Sequence, residues 1–248
     1  MKRIDHIIIK AENFDEAIQD FTDAGFKVYY GSKKEKAYNA LIYLQDHSFI
    51  EILKTQVVPP LARLLTKWGV FRVISPIFHR LGNFYFKKGP ILDYPVYSAN
   101  IKAFHERVKK SSSNLKEDAK RKKPDGTVVT WKCFMPKKLH LPFVMSDYHP
   151  QKMSENETDT HPNGITGIKN IDIRFNENTA LFKGEIQDFY QISKSNIKDT
   201  DHGFSVTTDN AIINYIESDD HSISLLTLSP ASGPVNDKLG KYGVTSAN

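Results

Sequence analysis

Cysteine is nearly absent from this chain of 248 residues: Cys133 stands alone, which excludes an internal disulfide framework and fits a reducing compartment. It sits in an apolar strand pattern, Thr130-Trp131-Lys132-Cys133-Phe134, where a lone thiol packs rather than attacks. An apolar leader is not read either. Met1-Lys2-Arg3 runs straight into a strand, so no signal peptide is read and the cytoplasm is the expected location. No glycine-rich phosphate loop, CxxC pair, HExxH or Gly-x-Ser-x-Gly elbow is found, which leaves the chemistries that depend on them without support. Charge of one sign is in mild excess only, with 34 basic against 29 acidic residues. The basic run Lys116, Lys120, Arg121, Lys122 and Lys123 has no interleaved aromatic residue, so no nucleic-acid partner is expected.

What the chain does have is repetition, with an apolar fraction of 40% that is enough to bury real cores. The strand pattern Ile4-Asp5-His6-Ile7-Ile8-Ile9-Lys10 returns as Ile168-Lys169-Asn170-Ile171-Asp172-Ile173-Arg174. Asn-Ala opens a later apolar strand in each copy, at Asn39-Ala40-Leu41-Ile42 and at Asn210-Ala211-Ile212-Ile213. A third pattern follows, His47-Ser48-Phe49-Ile50-Glu51-Ile52-Leu53 against His221-Ser222-Ile223-Ser224-Leu225-Leu226.

After the first strand, Asn13 caps a helix carrying Phe14, Ala17, Ile18 and Phe21 at helical spacing, closed by Gly25. Strands are expected at 26–30, 39–44 and 48–53, so the unit reads βαβββ. A second copy runs from a strand at 93–97 through a helix capped by Asn100 to strands at 127–134 and 141–145. In the third copy a strand at 167–175 and a helix at 179–190 precede strands at 204–207, 211–216 and 222–228. Three units therefore start near Ile4, Ile91 and Ile168. The expected organisation is a domain over 1–150 holding two units, a polar linker at 151–163 and a third unit over 164–248.

An insertion at about 56–90 breaks the first domain. Its helical stripes are interrupted at Gly69 and Pro76 and decorated by Arg63, Lys67, Arg72, Arg80, Lys87 and Lys88. It reads as two short helices capping a core, with cations snorkelling to solvent; a lid or a basic membrane contact over 59–88 is the weaker alternative, and no membrane partner is expected.

The residues Ile4-Asp5-His6, Asn39-Ala40-Leu41, Phe49-Ile50-Glu51-Ile52-Leu53, Lys123-Pro124-Asp125-Gly126 with Trp131, Leu141-Pro142-Phe143 and His161-Pro162-Asn163-Gly164 resemble the vicinal oxygen chelate superfamily, and within it the glyoxalase-like domain proteins. The resemblance implies an α+β fold of repeated βαβββ modules whose mixed sheets curl into a cup, as in glyoxalases and dioxygenases. It also implies a small-molecule ligand and a divalent metal (Zn, Mn, Ni or Fe) or none, as in the bleomycin resistance members. Strand alternation puts His6 and Ile8 on one face, and Phe49, Glu51 and Leu53 on one face. If these faces line the cup, a neutral nitrogen and an anionic oxygen converge, a pairing that suits a divalent ion.

His6 and Glu51 are accordingly the candidate catalytic pair. The candidate metal ligands are His6, Glu51, Asp93 and His161; Asp93 is reached by counting back from the helix caps. The last strand of the second unit offers Val144, Met145 or Ser146 opposite Glu51, and the third unit offers Asn170 and Leu225 at the matching places. Asn39, Phe49, Trp131, Asn170 and Arg174 are the candidate pocket residues. A metal-free arrangement stays open, in which a His6–Glu51 hydrogen bond satisfies a carboxylate that is costly to bury alone. Three units leave one unpaired, so a homodimer through the third unit is expected.

Overall fold

The computed structural model describes residues 3–54, 60–71, 75–87, 89–229 and 237–246. Each unit opens with a strand: β1 (Arg3–Ile4) continued as β2 (Ile7–Ala11), β6 (Ile91–Asp93) continued as β7 (Val96–Tyr97), and β11 (Gly167–Phe175). A helix capped by an asparagine follows in every case. Asn13, Asn100 and Asn178 each accept the backbone N–H of the third residue of α1 (Phe14–Asp23), α4 (Ile101–Val108) and α5 (Thr179–Tyr190), satisfying donors that the first turn leaves open.

Three further strands complete each unit. They are β3 (Tyr29–Tyr30), β4 (Asn39–Tyr43) and β5 (Phe49–Lys54) in the first, β8 (Lys116–Lys122), β9 (Val128–Phe134) and β10 (Val144–Met145) in the second, and β12 (Ile197–Thr200), β13 (Gly203–Thr207) and β14 (Ile212–Glu217) in the third. The last strand of each unit pairs parallel with its first: β5 on β2, β10 on β7 and β14 on β11. The other two strands add antiparallel beyond it, so all three units share one order of pairing. This is the expected α+β fold of curled βαβββ modules.

One assignment in the third unit shifts by a strand. The Asn210-Ala211 pattern opens β14, the fourth strand, and β15 (Ser222–Ser229) is an addition on the other side of β11. The second strand, β12, was not anticipated because Ile197 is its only apolar residue and it lies exposed at the sheet edge. In consequence Asn214, not Leu225, stands where Glu51 stands in the first unit: Asn214 pairs with Asp172 as Glu51 pairs with Ile8.

The units join through their first strands. Arg3 and Ile4 pair with Tyr97 and Val96, while Ile8 and Ile9 pair with Asp93 and Ile91. The run 3–11 thus passes from one sheet to another, and Asp5-His6 is the break between them. Through β15 the third unit reaches β6 at Ile223–Ile91, and β16 (Val244–Ser246) pairs with β15. Asn210 closes a second seam, accepting from Ile4 N at 2.9 Å and donating to Ile4 O at 3.1 Å.

Pleat alternation divides the apolar residues as expected. Ile7, Ile9, Ala40, Ile42, Ile50 and Ile52 face the helices in the main core, whereas Ile8, Leu41, Tyr43 and Phe49 face the inner side. The insertion forms α2 (Pro60–Lys67) and α3 (Pro76–Phe86). Ile77 and Phe84 of α3 pack on the inner side against Ile8, Leu92, Cys133, Phe143 and Met145. Trp68, Phe78, Leu81 and Phe86 remain exposed. Arg72, Lys88 and the side chain of Arg63 lie outside the described residues. No described helix is long and apolar enough to cross a membrane.

Residues 148–163 do more than connect. Tyr148 and Met153 pack on the inner face of the first sheet, the buried Lys123 ammonium holds Ser154 and Glu157 at 2.8 and 3.1 Å, and Thr158 N donates to the Tyr29 hydroxyl.

Candidate functional site

His6 and Glu51 meet on the inner side of the first sheet, His6 Nε2 lying 3.5 Å from Glu51 Oε2. The His6 ring stacks on Phe49 with centroids 4.5 Å apart and meets the edge of Phe143 at 5.9 Å. His6 is almost fully buried, while the Glu51 side chain keeps 17% exposure and is the member of the pair that a ligand can reach. Asn39, two residues along β4 from the position facing Glu51, donates to Glu51 Oε1 at 2.6 Å. Gly31 matters to this contact: a Cβ there would lie 1.9 Å from Asn39 Oδ1.

Asp5 completes the group, and strand alternation hides it. A residue next to His6 in a regular strand would face the other way, but the break between β1 and β2 lets both side chains reach the same interior. Asp5 Oδ2 receives His6 Nδ1 at 2.7 Å and the Tyr148 hydroxyl at 2.8 Å. Burial pushes the Asp5 carboxyl up, yet the His6 bond and charge, with Lys152 and Tyr148, outweigh it and hold the pKa below the ordinary value. Burial, followed by Asp5, raises Tyr148 well above its ordinary value, so it stays a donor. With Nδ1–H committed to Asp5, Nε2 faces a carboxylate. That contact is favourable only with a proton or another cation between them.

The other expected metal ligands do not join the pair. Aligning the first two units on Asn13 and Asn100 matches His6 with Asp93 and Ile9 with Val96. Because Ile9 pairs near Ile52 and Val96 pairs with Val144, the place of Glu51 falls to Phe143. Asp93 is in place but occupied: its carboxylate holds the Arg80 guanidinium, which also donates to Leu141 O and to Lys138 O at 3.2 Å. Arg80 is 1% exposed, which overturns the snorkelling cation expected at this position. His161 uses both ring nitrogens on backbone, accepting from Lys27 N at 3.1 Å and donating to Tyr43 O at 2.8 Å.

The separation of His6 Nε2 and Glu51 Oε2 suits two ligands of one ion, since metal bonds of about 2.1 Å put neighbouring donors roughly 3–3.5 Å apart. The remaining places do not fit, with an arginine on one and a phenylalanine at the other. No three described His, Cys, Asp or Glu side chains form a group able to hold a metal.

Of the expected pocket residues, Phe49 and Asn39 touch the pair, and Trp131 reaches it through Tyr148 at 5.5 Å. Asn170 and Arg174 belong instead to the third unit, where Asn170 and Asn214 both donate to Asp172. Tyr148 and Arg80 were not anticipated, because their neighbours in sequence carry no motif. Phe143 was quoted only as part of the family pattern.

This architecture of paired βαβββ units with an inner site is that of the vicinal oxygen chelate fold. The sequence profile of the glyoxalase-like domain family matches residues 4–184, and the chain belongs to that family. Among curated proteins none matches. A hypothetical protein from Staphylococcus aureus is similar over 98% of both chains, with 12% identity and a TM-score of 0.66. A xylose isomerase-like TIM barrel/4-hydroxyphenylpyruvate dioxygenase fusion protein matches at 10% identity and TM-score 0.53, covering 91% of this chain and 35% of that one. BphC, a halotolerant catechol dioxygenase, matches at 7% identity and TM-score 0.50 over 92% and 70%. At such identities the likeness is one of fold.

Proposed function

We propose that this protein binds a small oxygenated aromatic compound at the mouth of the cup formed by the first two units, without a resident metal at His6 and Glu51. The observation that carries this reading is the Arg80 guanidinium on Asp93, beside a Phe143 ring where the other ligand place falls. A buried cation already balances the carboxylate that would be a third ligand. The surrounding surface is aromatic, with Phe49, Tyr148 and Trp131 near the pair, and suits a flat apolar body. Glu51 accepts a hydrogen bond from a ligand hydroxyl, and Asp5 fixes the orientation of the His6 ring beside it. Proton exchange along Glu51–His6 is the chemistry this arrangement can perform. Catechol and hydroxybenzoate, titrated calorimetrically in the presence of a chelator, are expected to bind in the micromolar range, about −8 kcal/mol. Glu51→Gln is expected to weaken binding at least about tenfold, roughly 1.4 kcal/mol. Binding that appears only after a divalent ion is added would overturn the reading.

A metal-dependent enzyme of this superfamily is the second reading, favoured by the Asp5–His6 hydrogen bond, since metal-bound histidines commonly donate their other nitrogen to a carboxylate. We also propose that the third unit mediates a homodimer. On its inner sheet face Ile212, paired with Asn170, is 42% exposed.

A further inference from the structure

Between Glu51 and Asp93 the sequence has no carboxylate at all, although it has seven lysines and arginines. Two of these cations turn inward, Arg80 to Asp93 and Lys87 to Leu92 O, while Lys54 and Lys67 are exposed. The same stretch leaves much apolar surface in water. Of the nine large apolar side chains that the described residues leave exposed, five are Leu64, Trp68, Phe78, Leu81 and Phe86 of the insertion, Trp68 at 69% and Phe78 at 58%. An apolar residue exposed singly is ordinary, but five along one short stretch mark a contact surface. The helices expected to cap a core do so with one side only. Ile77, Arg80 and Phe84 of α3 turn inward at helical spacing, and Phe78 and Leu81 stand on another side of the same helix. On α2, Trp68 N donates to Leu64 O at 2.9 Å, which places these two exposed side chains one turn apart. The break at Gly69 and Pro76 folds the two helices against each other: Phe71 meets Phe78 with centroids 6.1 Å apart, and a Cβ on Gly82 would lie 2.5 Å from Thr66 Oγ1.

We propose that the outer side of α2 and α3 docks on the surface of a membrane rich in anionic lipid, its apolar side chains entering the headgroup layer and its cations meeting the lipid phosphates. Helices of 8 and 11 residues are too short to cross a bilayer but can lie along its surface. Tryptophan and phenylalanine are favoured at the boundary between headgroups and acyl chains, and each cation held near an anionic leaflet adds attraction. Charge complementarity selects this occupant over the others. A second copy of the chain would set seven further cations against the first seven, with no carboxylate from either insertion to pair them. A nucleic acid would match the charge, yet Leu64 and Leu81 offer no ring for a base to stack on and stay in water when phosphates bind. Only an anionic interface takes up the leucines, the aromatic rings and the cations together. This contact involves neither His6 nor Glu51.

The test is flotation of the full chain with vesicles of phosphatidylcholine alone, or of phosphatidylcholine mixed with an equal part of phosphatidylglycerol. Binding is expected to the mixed vesicles only, to fall as salt is raised, and to move the tryptophan emission to the blue. Trp68→Ser and Phe78→Ser should each weaken binding about tenfold or more, because each withdraws a large apolar side chain from lipid. Lys67→Glu should weaken it about tenfold or more, because it replaces an attraction with a repulsion. All three positions are exposed, and circular dichroism with the urea midpoint shows that each variant keeps its fold. No flotation with the mixed vesicles, equal binding to phosphatidylcholine alone, or binding unchanged in both Trp68→Ser and Lys67→Glu would overturn the proposal. So would a concentration-dependent dimer dispersed by Trp68→Ser, which gives the face to a second copy, or duplex RNA binding lost in Lys67→Glu and kept in Trp68→Ser, which gives it to nucleic acid.

Discussion

Arg80 is the residue on which the inner site turns. Two full charges, Arg80 and Asp93, are removed from water together, and each is tolerable only because of the other. Arg80→Met is therefore expected to destabilise the fold by about 3–5 kcal/mol in urea unfolding, and Arg80→Met combined with Asp93→Leu to recover most of that loss. A single variant within about 0.5 kcal/mol of wild type, the usual span of a surface substitution, would refute the buried pair. Cys133 makes a separate case at the same scale. Burial pushes its thiol up to about 11, so little thiolate exists at pH 8 and native protein should resist alkylation until it is unfolded.

His161 supplies a pH dependence. Burial lowers its pKa from the ordinary 6.5, although the bond to Tyr43 O acts the other way. Below 6.5 the unfolded chain takes up a proton that the folded chain refuses, so this contribution to stability is complete above 6.5 and is lost as pH falls toward the folded value. His161→Gln is expected to be less stable near pH 7.5 and to lose less than wild type between pH 6.5 and the folded value. Parallel pH curves would contradict that assignment.

At the scale of elements, the strand break at Asp5-His6 and the insertion helix α3 set what the site can do. The break brings an acid and its neighbouring histidine to one side, and α3 carries Arg80 inward. Gly31 is a further control, because its backbone lies against Asn39. Gly31→Ala should displace the Asn39 amide from Glu51 and weaken ligand binding several-fold while leaving far-UV circular dichroism intact; unchanged affinity would contradict the role given to Asn39. Much of this was legible in the sequence. Asparagine caps and isoleucine alternation located the three helices and assigned the faces of β2, β4 and β5, because those signals are local. The pairing of β12 was not legible, since an exposed edge strand needs no apolar alternation. Arg80 escaped for another reason: an arginine on a helical stripe reads as surface, and only the fold brings Asp93 beneath it.

For the whole molecule, three copies of one unit take two different situations. The first two pair by their opening strands and enclose a site, while the third attaches through β15 and leaves Ile212 of its inner face exposed. A dimer formed by that face should be seen in sedimentation equilibrium and weakened by Ile212→Lys; a monomer at every concentration would exclude it. Family membership is settled by the match over residues 4–184, whereas the chemistry rests on what occupies the four ligand places. Those places hold a histidine, a glutamate, an aspartate bound to arginine and a phenylalanine.

The most direct test is the metal content of untagged protein purified without chelator, compared among wild type, His6→Ala and Glu51→Gln. Equal content in all three is the result this account predicts. Loss of one equivalent in both variants would contradict it and restore a metal centre at His6 and Glu51.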